Sequence, residues 1–211
     1  MLELKHENMF YTQEGLEKIL AQELIDSLKV LMNNKFEKLD MFGINVDVEI
    51  TDAVQIAEVV KVTVEDKTVH PGDTVPLKVV MRPFRGNEFT QIVDFVVPKD
   101  GLGTKLVLNV HGGSSVSWII NALRKQKGES TGEANKEQKQ KTIADFVKEV
   151  NESDKNNSLI VDVTAGVKGL RRPSGDAGLA AMLKGSPYKK TIPYNFIVDG
   201  EAEIVLNVVT E

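Results

Sequence analysis

The strongest constraint in this chain is a two-residue period that returns in run after run. Ile44, Val46, Val48 and Ile50 alternate with Asn45, Asp47 and Glu49. Successive side chains of a strand point to opposite faces, so this is the pattern of a strand with one dry face. Val54, Ile56, Val60, Val62 and Val64 continue on even positions, and Val59 marks a two-faced position or a bulge. Val75, Leu77, Val79 and Met81 give a third strand. Phe89, Val93, Phe95 and Val97 give a fourth, and Leu106, Leu108 and Val110 a fifth. Turn chemistry separates them: His70-Pro71-Gly72-Asp73, then Arg82 to Asn87, then Pro98 to Gly103. Pro76 requires its strand to begin on an edge or at a bulge. Short strands spaced by such turns predict an immunoglobulin-like β-sandwich over 44–112, with Val79, Phe95 and Leu108 in one core.

Helical periods flank this region. Leu16, Leu20, Leu24, Leu28 and Leu31 predict an amphipathic helix over 13–33, with Thr12 as N-cap and Asn33-Asn34 as stop. Residues 1–43 therefore read as an N-terminal helical segment. After Gly113, Ser114 or Ser115 caps a helix carrying Trp118, Ile119, Ala122 and Leu123. Residues 125–141 hold almost nothing apolar and read as a mobile, solvated loop. Ile143, Phe146, Val147 and Val150 predict another helix, and Leu159, Val161 and Val163 another strand. A short helix is expected over 176–184. Tyr194, Phe196 and Val198 are expected to pair with Ile204, Leu206 and Val208 through a hairpin at Asp199-Gly200. Residues 113–211 thus form a helical linker with a smaller C-terminal α/β part, separate or completing the same domain. The fold class is α+β.

Composition narrows the function classes. The net charge of −5 argues against a broad nucleic-acid surface. No apolar run is long enough to span a bilayer, and residues 1–5 lack the apolar core of a secretory signal. Cysteine is absent, which removes disulfides, thiol nucleophiles and thiolate metal sites. The histidines His6, His70 and His111 have no helical pairing, so no metal site is expected. No dinucleotide or phosphate-loop spacing is present, and no cofactor is expected. The acids from Asp47 to Asp66 read as a solvent face rather than a calcium loop.

Three places carry candidate chemistry. Arg82-Pro83-Phe84-Arg85-Gly86 sets two arginines around an aromatic in a rigid loop. Guanidiniums and aromatics dominate binding hot spots, so Arg82, Phe84 and Arg85 are candidate binding residues. The structural alternative is that both arginines brace the fold against carboxylates such as Glu88 or Asp94. Gly86 is expected to let the chain reverse. Arg171 and Arg172, in a glycine-rich loop, are candidates for an anion or acidic peptide. His111-Gly112-Gly113-Ser114-Ser115 permits a serine hydrolase with Ser114 or Ser115 as nucleophile and His111 as base. No G-x-S-x-G elbow supports that reading, and a glycine turn with a helix cap explains the same residues.

The segment Val69-His70-Pro71-Gly72-Asp73-Thr74-Val75, followed by Val79-Val80-Met81-Arg82-Pro83-Phe84-Arg85-Gly86, resembles a region of bacterial proteins that carry a SpoIVB-type serine peptidase domain. In them it lies C-terminal to the peptidase. Val97-Pro98, Asn156 to Val161, and Ile192-Pro193 before the last strands extend the likeness over about residues 40–209. No peptidase motif is present, so the resemblance implies an accessory region, and no catalytic residue carries over. It implies a protein or peptide partner and a place in the cell envelope or outside the cell. A native start at Met1 would instead imply the cytoplasm. A structural spacer or self-association domain is a further reading, and homo-oligomers are compatible with it.

Overall fold

The computed structural model describes residues 3–32, 38–99, 102–113, 142–152, 154–167 and 188–209. Compact units do not follow chain order. Residues 1–54 and 116–153 form one unit, and residues 55–115 and 154–211 the other.

The first unit contains helix α1 (Leu16–Met32) and helix α2 (Ile143–Asn151). Gly15, at φ 72°, starts α1 by accepting from the N–H groups of Lys18 and Ile19. Thr12, expected as the cap, shapes the approach instead: its Oγ1 accepts from the Glu14 N–H at 3.2 Å. Ile143 and Val147, one turn apart on α2, are buried. Asn151 closes α2 by accepting from the Lys5 N–H and donating to the Glu3 carbonyl, at 2.8 and 2.9 Å.

The expected strand at 44–50 is a correction. That segment forms no strand, and every side chain from Met41 to Ile50 is exposed. The alternation is real, but a strand needs a neighbour to satisfy its backbone, and no ladder of either sheet reaches this segment.

The second unit is two sheets on one core. Its strands are β1 (Ile56–Thr63), β2 (Thr68–Val69), β3 (Thr74–Pro83), β4 (Phe89–Val96), β5 (Leu102–Gly112), β6 (Ser158–Val167), β7 (Lys189–Pro193), β8 (Ile197–Asp199) and β9 (Glu201–Val208). One sheet has four strands in the order β4-β3-β1-β8, and the other has five in the order β2-β9-β5-β6-β7. Most neighbours are antiparallel, whereas β1 pairs with β8 and β2 with β9 in parallel.

Alternation builds the core as the sequence reading expects. Val75, Leu77, Val79 and Met81 of β3 and Val93 and Phe95 of β4 face Leu106, Leu108 and Val110 of β5 and Ile204 and Leu206 of β9 in one buried cluster. Val59, Val62 and Ala57 of β1 join it, with a register shift between Val59 and Lys61 where the extra residue Val60 bulges. The turn at His70 is closed by the Asp73 N–H on the His70 carbonyl, with Gly72 at φ 89°. Pro76 is tolerated in the interior strand β3 because pairing with β1 ends at Lys78, so no neighbour waits for its missing N–H.

The expected hairpin at Asp199-Gly200 is a second correction. β8 and β9 lie in different sheets, and Gly200, at φ 75°, passes the chain from one to the other. A Cβ there would come within 3.1 Å of the Val59 carbonyl. A type I′ turn needs positive φ at both central residues, and Asp199 does not have it; the crossing uses the left-handed Gly200 alone.

Phe95 is buried and central, so Phe95→Ala is expected to cost about 3–5 kcal/mol. Urea unfolding measures it. A loss of about 0.5 kcal/mol, the scale of surface changes, would contradict the inward assignment.

Candidate functional site

The β3–β4 hairpin presents the Arg82–Gly86 loop. Pro83 to Gly86 make a tight turn, with the Gly86 N–H on the Pro83 carbonyl at 3.0 Å. The Phe84 N–H donates to the Ile56 carbonyl at 2.9 Å, tying the loop to the start of β1. The left-handed residue is Arg85, at φ 54°, and not Gly86. Among the described residues it is the sole non-glycine residue with positive φ. Gly86 fits for another reason: a Cβ would sit a tight 3.1 Å from the Pro83 ring.

The arginines separate. Arg82 lies 2.8 Å from Glu58 and 4.0 Å from Glu88, so its guanidinium is engaged by carboxylates of its own fold. Those carboxylates raise its already high pKa, the Glu58 hydrogen bond first. Arg85 makes no ion pair among the described residues. Its guanidinium stands 5.0 Å from the centroid of the Phe84 ring, and Phe84 is 48% exposed. The same end of the second unit collects other aromatics. Phe89 meets Phe196 edge-on at 6.4 Å, and Tyr194 stacks on Phe196 at 4.7 Å.

Several features blunt the sheet edges, although β2 covers β9 only at Asn207 and Val208. Odd residues of β4 bond to β3, so even residues turn their backbone outward. Gln91 Nε2 caps the Ile92 carbonyl at 3.0 Å, and Lys190 Nζ caps the Asp94 carbonyl at 2.6 Å. The opposite edge, β8, has 3 residues. In the other sheet β2 has 2 residues and β7 ends in Pro193. Short strands, proline and side-chain caps are the devices that blunt edges.

His111 and Gly112 end β5, and Gly113 follows it. The Gly112 N–H donates to the Gly200 carbonyl at 3.3 Å and the Gly113 N–H to the Ser158 carbonyl at 2.8 Å. Both donors that an oxyanion hole would use there are occupied. Each glycine also admits a passing chain: a Cβ would lie 1.8 Å from the Val198 carbonyl at Gly112 and 1.8 Å from the Lys155 carbonyl at Gly113. Ser114, Ser115, Arg171, Arg172, residues 125–141 and the helices expected at Trp118–Leu123 and over 176–184 lie outside the described residues.

A polar cluster that sequence reasoning missed occupies the outer face of the five-stranded sheet. Register sets Asn109, Asp162 and Lys189 side by side on β5, β6 and β7. Lys189 Nζ bonds both carboxylate oxygens of Asp154, at 2.8 and 2.9 Å. His111 Nδ1 lies 2.7 Å from the Gly112 carbonyl, which only accepts, so Nδ1 carries a proton. His111 Nε2 then faces Asp162 Oδ1 at 3.8 Å, and that oxygen is buried without a hydrogen-bond partner among the described residues. Burial pushes the Asp162 carboxyl up and Asp154 adds to the rise, against His111 and Lys189. The signal was in the sequence: Asp162 interrupts the apolar run Leu159–Val163.

Among the described residues, no group of three His, Asp or Glu side chains is placed to hold a metal ion. Among the same residues, no helix is long and apolar enough to cross a membrane. No family model, no curated protein and no solved structure matches the chain.

A raised folded pKa means that Asp162 favours the fold fully below its ordinary value of 3.8 and loses that contribution as pH rises through the folded value. Asp162→Asn removes the buried charge and offers Nε2 of His111 a donor. Its melting midpoint is expected a few degrees above wild type at neutral pH, with the difference closing toward pH 4. A midpoint below wild type at neutral pH would show that the charge is net stabilising.

Proposed function

We propose that the chain is a non-catalytic accessory module of the SpoIVB-type kind, built on an immunoglobulin-like sandwich. It holds a protein or peptide partner of the bacterial envelope or secreted space at the tip of the β3–β4 hairpin. Arg85 carries this reading. A left-handed conformation costs an L-residue about 1–2 kcal/mol, and glycine would relieve it. The chain keeps an arginine there, without a carboxylate partner among the described residues, over a half-exposed phenylalanine. Strain held at an exposed tip points to function rather than to stability.

The tip suits a partner segment that offers a carboxylate beside an apolar side chain. The carboxylate meets the planar guanidinium in two parallel hydrogen bonds, and the apolar group covers Phe84. The turn hydrogen bond and the tie to Ile56 fix the loop beforehand, so little entropy is lost on docking. The edges of the four-stranded sheet, one capped at two carbonyls and the other 3 residues long, favour side-chain recognition at this tip over strand addition.

Selection from a displayed peptide library on the full chain tests the proposal. Enriched peptides are expected to pair an acidic with an apolar residue and to lose binding to Arg85→Gly and Phe84→Ser. Arg85→Gly removes more strain than the cation–π contact of about 0.5–1 kcal/mol returns, so its melting midpoint is expected to rise by a few degrees. A fallen midpoint with unchanged peptide binding would make the loop scaffold and end the reading.

A further inference from the structure

The exposed segment before β1 is self-complementary in one register. Its even positions are Phe42, Ile44, Val46, Val48 and Ile50, all exposed, and Phe42 is 84% exposed. Its odd positions are Gly43, Asn45, Asp47 and Glu49. No hydrogen bond or ion pair engages residues 42–50 among the described residues. No ladder of either sheet includes residues 42–50.

We propose that residues 42–50 of two copies pair as an antiparallel ribbon about a twofold axis through Val46. Alternative registers fail on charge or on coverage. A parallel in-register pair sets Asp47 on Asp47 and Glu49 on Glu49, and like charges directly opposite are destabilising. An antiparallel pair centred on Asp47 again opposes the two aspartates and leaves Phe42 unmatched. A shift by a single residue pairs apolar with polar positions and turns the dry faces apart. Centred on Val46, the ribbon matches Phe42 with Ile50, Ile44 with Val48, and Val46 with its twin. On the other face Asn45 meets the partner's Asp47, as donor to acceptor, and Gly43 meets Glu49. Every apolar residue finds an apolar neighbour on one face, and no like charges meet on the other. The interface is isologous, as a closed dimer requires.

A two-stranded ribbon is marginal alone and needs a surface to pack on. The same unit supplies apolar surface, since Leu24, Ile25 and Met32 of α1 are also exposed. The proposal is independent of the hairpin tip, which lies in the other unit.

The absence of cysteine makes the test direct. Val46→Cys places one thiol per chain at the axis, where facing Cα atoms stand about 4.5–5.5 Å apart, within the span of a disulfide. Under mild oxidation the full chain carrying Val46→Cys is expected to become a covalent dimer. Ile50→Cys is expected to stay monomeric, because its twin lies about 27 Å away along the ribbon. Sedimentation equilibrium adds the charge test. Asn45→Asp sets a second carboxylate against the partner's Asp47 and is expected to weaken the dimer about tenfold. Adding Asp47→Lys to that variant is expected to restore it. Faster cross-linking of Asp47→Cys than of Val46→Cys would overturn the register. Equal cross-linking at all sites, or a wild-type chain monomeric at high micromolar concentration, would overturn the pairing itself.

Discussion

Strand β5 needs two neighbours, and both come from the far end of the chain. Leu106, Leu108 and Val110 are fully buried, flanked by β6 on one side and β9 on the other. The ladder cannot form until residues 158–208 have returned, so the cost of closing long loops precedes the gain of the core. The rest of the second unit follows from this pairing. β9 enters the five-stranded sheet only because Gly200 carries it over from β8, and β8 in turn lies beside β1 in the other sheet. Glycine at 112 and 113 is the counterpart of that return, since the chain passes there at distances no Cβ allows.

Edge β4 of the four-stranded sheet is capped at two carbonyls and edge β8 has 3 residues, so that sheet offers a partner strand little backbone. In the five-stranded sheet β7 ends in proline and β2 covers β9 only at Asn207 and Val208. Polar chemistry is displaced outward, to the Asp162 row on one sheet and to the hairpin tip on the other. The two differ in kind. Asp162 is a half-buried carboxylate whose buried Oδ1 has no hydrogen-bond donor among the described residues. Arg85 is an exposed cation held by its backbone in an unfavourable conformation. The first is an acid that its partial burial shifts toward the protonated form. The second is free to meet another molecule.

The sequence was legible where alternation and burial coincide. Val79, Phe95 and Leu108 share one core because each lies on the apolar parity of its strand. It was misleading where one local signal serves two outcomes. The alternation at 44–50 is that of a strand, yet a strand exists only with a neighbour, which local sequence does not encode. Asp199-Gly200 suits a hairpin and a crossing between sheets alike. At the tip, the glycine drew the turn to Gly86, whereas the strained position is Arg85 and the glycine answers to the Pro83 ring. The His111–Asp162 pair depends on strands distant in sequence, and only the acid within an apolar run hinted at it.

The central claim is that the two sheets are complete without the alternating segment that precedes them. Hydrogen exchange of the full chain in dilute solution tests this most directly. Amides of β5, β6 and β9 are expected to exchange slowest, at the level of global unfolding, and those of residues 43–50 within the fastest class. Protection of residues 43–50 equal to that of β5, independent of protein concentration, would place the segment in a ladder within its own chain and contradict the account.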